Sequence, residues 1–174
     1  MCLKYVNATI GLYSKVDLDQ NGNAVLFSGA FDHLVARKEP DGALVAGNFE
    51  VVIHFNLLGT DTEAHLDNCL VEQRKGVLEV LVKLSQVSKD PVAMTLDEFE
   101  MDLEQLDKNN CYQRACFSYL NHCRVIHTGR LIFEPGPGKY VIKVEARWKR
   151  DDGQENPFAV QALYPLHVIE PDNN

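Results

Sequence analysis

Two clusters of donor side chains are the residues of this chain best suited to chemistry. In Asp17-Leu18-Asp19-Gln20-Asn21-Gly22-Asn23 the oxygen-bearing side chains recur at alternate positions, with a glycine where a calcium loop must bend sharply. Asp17, Asp19, Asn21 and Asn23 are therefore calcium-ligand candidates. Such a loop also needs a bidentate acid at its twelfth position, which here is Ser28, and the flanking residues have the pattern of strands. Asn21-Gly22 between alternating segments is itself a hairpin signal, so a plain turn is the better reading. Asp61, Glu63, His65 and Asp67 would share one face of a strand, with His54 on a neighbouring one, and carboxylate with imidazole can hold a divalent metal. The wet face of a half-buried strand carries the same alternation.

Cys111, Cys116, His122, Cys123 and His127 are ligand types for zinc, but their spacing matches no common zinc motif and contains no close Cys-x-x-Cys pair. Buried structural thiols account for them, and no pair among them is marked out as a Cys-His nucleophile and base. Glu134-Pro-Gly-Pro-Gly-Lys139 is glycine-rich and ends in lysine, yet it lacks the spacing and the following helix of a phosphate cradle; it predicts a turn. Arg147, Lys149 and Arg150 flank Trp148, whose place in an alternating strand predicts a buried anchor rather than an exposed binding platform. No nucleophile, base and orienting group converge, so no catalytic residue and no cofactor site is assigned.

The elements that would carry these residues are mostly strands. Tyr140, Ile142, Val144, Ala146 and Trp148 fall on one face, Lys143, Glu145, Arg147 and Lys149 on the other. Asp151-Asp152-Gly153 supplies a turn, and Phe158, Val160, Ala162, Tyr164, Leu166 and Val168 continue the two-residue period as a returning strand. Earlier, Thr9–Val16 and Ala24–Val35 predict a hairpin about Asn21-Gly22. Arg37–Gly47 predicts a loop or crossover, and Phe49–Leu57, His65–Val71 and Val77–Val87 predict further strands. One segment breaks the pattern. Thr95-Leu96-Asp97-Glu98 fits a capping box, and Leu96, Phe99, Leu103 and Leu106 fall at helical spacing, predicting a short helix within residues 95–107. Its acidic side chains (Asp97, Glu98, Glu100, Asp102, Glu104, Asp107) would form a solvent face on which a basic partner could dock. Residues 109–121 fit either a continued helix or a loop.

With 174 residues, 45% hydrophobic and 24% charged, the chain is long and apolar enough to bury a core without metal or disulfide. Its 17 Lys and Arg against 25 Asp and Glu give a net charge of −8, which disfavours nucleic acid as a partner. No run of eighteen apolar residues occurs, so no membrane association is expected. Met1–Asn7 lacks a basic region followed by an apolar run, and the five cysteines are odd in number and scattered, so reduced thiols and a cytoplasmic address are expected.

Gly22-Asn23-Ala24-Val25-Leu26-Phe27-Ser28-Gly29-Ala30-Phe31-Asp32 with Pro40 beyond it, a middle strand holding His65, and Phe133-x-Pro135-Gly136-Pro137-Gly138-Lys139-Tyr140-x-Ile142-x-Val144 resemble a family of small bacterial all-β, sandwich-like proteins without known function. The resemblance implies a fold and no activity. The expectation is one all-β domain over residues 1–170, an antiparallel β-sandwich of immunoglobulin or jelly-roll type with one inserted helix, and a disordered tail over 171–174. The expected function is a non-catalytic binding module with a protein partner, or a homo-oligomer formed through a sheet edge. A metal-dependent domain binding a carbohydrate-like ligand, or a metal-assisted hydrolase, is the alternative.

Overall fold

A computed structural model of the protein describes residues 3–20, 24–60, 77–88, 92–102, 111–114, 117–134, 136–149 and 158–171. Among them there are strands and no helix. One five-stranded sheet has the order β2 (Ala24–Ala30), β1 (Leu3–Leu18), β6 (Glu50–Thr60), β10 (Phe117–His127) and β9 (Cys111–Arg114). A second has the order β3 (His33–Val35), β13 (Phe158–Ile169), β12 (Gly138–Trp148), β7 (Val77–Gln86) and β8 (Ala93–Asp102). A three-stranded sheet is formed by β11 (Arg130–Ile132), β5 (Leu44–Gly47) and β4 (Arg37–Lys38).

The alternation of apolar residues decides which faces meet. Leu78, Val80, Val82 and Leu84 of β7 are buried together with Tyr140, Ile142, Val144 and Ala146 of β12 and Leu166 and Val168 of β13. From the first sheet Ala8, Leu12, Val51, Ile53, Phe55 and Ile126 join the same apolar cluster, so the two large sheets enclose one core as in a sandwich. Register agrees with the two-residue period: Tyr140 lies opposite Leu166 and Val144 opposite both Ala162 and Val82. The predicted β12/β13 hairpin is therefore present, while its turn and the Trp148 side chain lie outside the described residues. On the outward side Glu145 is buried and satisfied by Lys143 Nζ at 2.5 Å and Gln161 Nε2 at 3.4 Å. The bond from Lys143 holds the Glu145 carboxyl below the usual range, against the opposing effect of burial.

The chain changes sheets early. Phe31 N donates to Leu12 O in the first sheet, and one residue later Asp32 O accepts from His167 N in the second. From there β3 runs parallel to β13, whereas the remaining ladders among the described residues are antiparallel. The predicted Arg37–Gly47 loop is a small hairpin: Gly42 N donates to Glu39 O, Asp41 Oδ1 accepts from Ala43 N, and Gly42 has a φ of 89°. Leu44 and Leu131 of this small sheet, and Phe133 directly after β11, reach the common core.

The expected helix is absent, and this corrects the reading of residues 95–107: Ala93–Asp102 is a strand paired antiparallel to β7, while residues 103–107 lie outside the described ones. Opposite Lys83 stands Thr95, but opposite Val82 stands Asp97, so Leu96 is an extra residue in a β-bulge. One inserted residue turns a spacing of two into a spacing of three. That is why Leu96 and Phe99, both packed against the core, mimic the stripe of a helix. Two of the acidic side chains, Asp97 and Glu100, are correspondingly tied into the sandwich. Arg124 of the first sheet donates from Nε at 3.1 Å and from its terminal nitrogen at 2.8 Å to Asp97 Oδ2, with its guanidinium 4.7 Å from the Phe99 ring centroid. Lys149 pairs with Glu100 and lies 3.8 Å from Glu79.

Candidate functional site

The β1/β2 hairpin is where structure and sequence signals converge. Among the described residues strand β2, Ala24-Val-Leu-Phe-Ser-Gly-Ala30, pairs with β1 on one side only and is one of the two outer strands of its sheet, β9 being the other. Val25 and Leu26 are 61% and 56% exposed, and no charged residue or proline occurs along the strand. An open edge presents unpaired main-chain donors and acceptors, and soluble proteins usually guard such an edge with charge or proline. By contrast β8, an outer strand of the second sheet, carries Asp97, Glu98, Glu100 and Asp102.

Two glycines shape this hairpin. At Gly29 φ is 66°, and an added Cβ would stand 2.1 Å from Ser14 Oγ, which donates to Ser28 O at 3.0 Å. At Gly11 an added Cβ would meet the Tyr13 ring at 2.7 Å, so glycine lets that ring lie along the strand. Tyr13 packs on Phe27 at 5.0 Å between centroids, and Phe27 meets the His54 ring edge-on at 5.7 Å. An aromatic group on the outer face thus braces β2 from behind.

Of the calcium candidates, Asp17 lies in β1 with its carboxylate 2.6 Å from Lys15 Nζ, and Asp19 follows the strand. Asn21 and Asn23 lie outside the described residues, as do Asp61, Glu63, His65, Asp67 and the strand expected at 65–71. Among the described residues no three His, Cys, Asp or Glu side chains gather as a metal-holding group. His54 faces Phe27 instead, with Cys123 opposite it across the ladder.

In the Cys/His segment, Cys116 lies outside the described residues and Cys111 is placed in β9. His122 and Cys123 are neighbours on β10 and therefore point to opposite faces. Burial pushes the Cys123 thiol up, the wrong direction for a nucleophile, and burial followed by the Arg124 charge pushes His122 down. His122 stacks on Phe55 at 6.4 Å. His127 lies apart, with Nδ1 2.5 Å from Glu50 Oε2.

With that geometry in view, comparison with known proteins adds little. No family model matches the chain, and no curated protein matches it by sequence. The chain is similar to the solved structure of the CooA pilin subunit from enterotoxigenic Escherichia coli, at 15% identity over 92% of this chain and 95% of that chain, with a TM-score of 0.29. At that TM-score the likeness carries no inference.

One group escaped the sequence reading. His33 Nδ1 bonds to Asp32 Oδ1, and the His33 ring meets His167 edge-on at 5.2 Å. The His33 bond is the main cause holding the Asp32 carboxyl low. All three surround the sheet switch, and Tyr164 donates to Phe31 O beside them at 2.9 Å. Nothing in the sequence signals that residues so distant pair in parallel register. Asp32 and His33 are exposed, and the Tyr164 hydroxyl beside them is committed to Phe31 O, so the group reads as a surface fastening for the switch. The Glu134–Lys139 segment is a turn as expected: Gly136 N donates to Phe133 O, Gly136 and Gly138 have φ of 90° and 149°, and Tyr140 Oη donates to Gly136 O at 2.6 Å.

Proposed function

We propose that this chain is a non-catalytic interaction module that receives an extended segment of a partner protein along β2. The observation that carries the reading is that edge: seven residues without charge or proline, exposed at Val25 and Leu26 and braced by Tyr13, Phe27 and His54. Main-chain pairing would supply affinity, and the apolar side chains would select the incoming strand. In this reading residues 1–170 act as one domain of immunoglobulin or jelly-roll type, supported by the single core shared by both large sheets. A cytoplasmic address is supported by the odd number and scattered spacing of the five cysteines.

The test places a photo-crosslinking residue at Val25 in the native cell and measures the binding of the crosslinked partner to purified chain. Val25→Lys with Leu26→Lys should weaken that binding by about tenfold or more, since edge charge opposes strand addition. The melting temperature should stay unchanged, because both side chains already face solvent. Binding indifferent to the lysines would refute the reading. So would turnover of an ester, phosphate or glycoside that is lost in His65→Ala.

A further inference from the structure

Among the described residues β11 is an outer strand as well, with a different pattern. In β11 Leu131 is buried, as is Phe133 directly after the strand, while Arg130 and Ile132 face solvent, with Ile132 43% exposed. Phe133 N donates to Leu44 O, so by antiparallel alternation the main-chain groups of Leu131 turn towards β5 and those of Arg130 and Ile132 turn away from it. The strand borders a cleft of about 420 Å³, floored by Leu84, Met94, Phe133 and Tyr140, and Val92 beside it is 66% exposed. Arg130 stands at this cleft, and so does Glu134, four residues on. Neither has an ion-pair partner among the described residues, whereas Lys15, Arg37, Lys38, Arg124, Lys143 and Lys149 each have one.

The order Arg130-Leu131-Ile132-Phe133-Glu134 complements itself when reversed. Two copies running antiparallel about Ile132 would set Arg130 of each chain against Glu134 of the other and Ile132 against Ile132. Pairing would use the outward main-chain groups of Arg130 and Ile132, and the exposed Val92 and Ile132 side chains would leave water. We infer that the β11 edge is a two-fold symmetric contact between two copies of this chain, its register set by reciprocal Arg130–Glu134 pairs. This contact is separate from the β2 edge and does not depend on it.

Sedimentation equilibrium of the full chain tests the inference. The wild type should show a concentration-dependent mass of two chains. Arg130→Glu or Glu134→Arg alone places like charges opposite each other and should raise the dimer dissociation constant by about tenfold or more. The double variant R130E/E134R restores opposite charges in each pair and should recover the dimer. That rescue distinguishes a second copy from an unrelated peptide in the cleft, because a peptide with fixed charges would not follow the exchange. Val25→Lys with Leu26→Lys should leave the dimer intact, so failure of the β2 reading and failure of this one are separately visible. A wild type that stays monomeric at high concentration, single variants that still dimerise, or a double variant that does not recover would each overturn the inference.

Discussion

Gly29 combines a left-handed backbone with a contact that leaves no room for a side chain, so its replacement has a definite sign. Gly29→Ala should destabilise the fold by about 1–3 kcal/mol in urea melts, through the strained φ and the displaced Ser14 hydroxyl. Adding Ser14→Ala should recover the steric part alone. A neutral result for Gly29→Ala would mean that the hairpin does not need this conformation. His122 gives a pH-dependent counterpart. Its pKa is lowered by burial and by Arg124, so the folded state prefers the neutral ring and the unfolded chain takes up the proton first. Stability is then full above the ordinary histidine pKa and falls as pH drops below it. The melting temperature should decline between about pH 7.5 and about pH 5.5, and by less in His122→Gln; equal declines would remove His122 as the cause.

At the scale of elements, the bulge in β8 makes a prediction that a helix would not. Removing Leu96 leaves Met94, Asp97, Phe99 and Met101 in continuous alternation opposite Leu84, Val82, Val80 and Leu78. The deletion should fold, at a cost of about 1–2 kcal/mol for the lost apolar contact. Removing Glu98 instead would turn Phe99 and Met101 outward and should cost several times as much, about 4 kcal/mol or more. Urea titration of both deletions distinguishes strand from helix. The same segment shows what sequence can convey. Strands such as Tyr140–Trp148 and Val77–Gln86 were legible because one face is apolar without interruption. A bulge is the case where period alone misleads, because whether a spacing of three marks a helical turn or an inserted residue depends on the neighbouring strand. The short β4/β5 hairpin has the sequence pattern of a loop or crossover for a related reason: strands of two and four residues are too brief to show a period. At the candidate site, the hairpin about Asn21-Gly22 was readable. That β2 ends up at a sheet edge is a matter of topology, which no local pattern encodes.

For the molecule as a whole, the core joins side chains of all three sheets, and apolar burial on that scale should hold the fold without a bound ion. Chelator should leave the melting temperature unchanged. A loss restored by calcium and abolished by Asp19→Ala would instead make the Asp17–Asn23 segment a metal site, and the same assay with zinc and Cys116→Ser tests the cysteine segment. The sheet switch at Phe31 and Asp32 bears on the order in which the fold is made. Tyr164 reaches Phe31 across 133 residues of chain, and β3 closes on β13 over a similar span. Loops of that length lose the most chain entropy on closing, so this seam should knit late, after the hairpins on either side have formed. Tyr164→Phe should therefore leave the refolding rate nearly unchanged and quicken unfolding, the kinetic mark of a contact absent from the transition state.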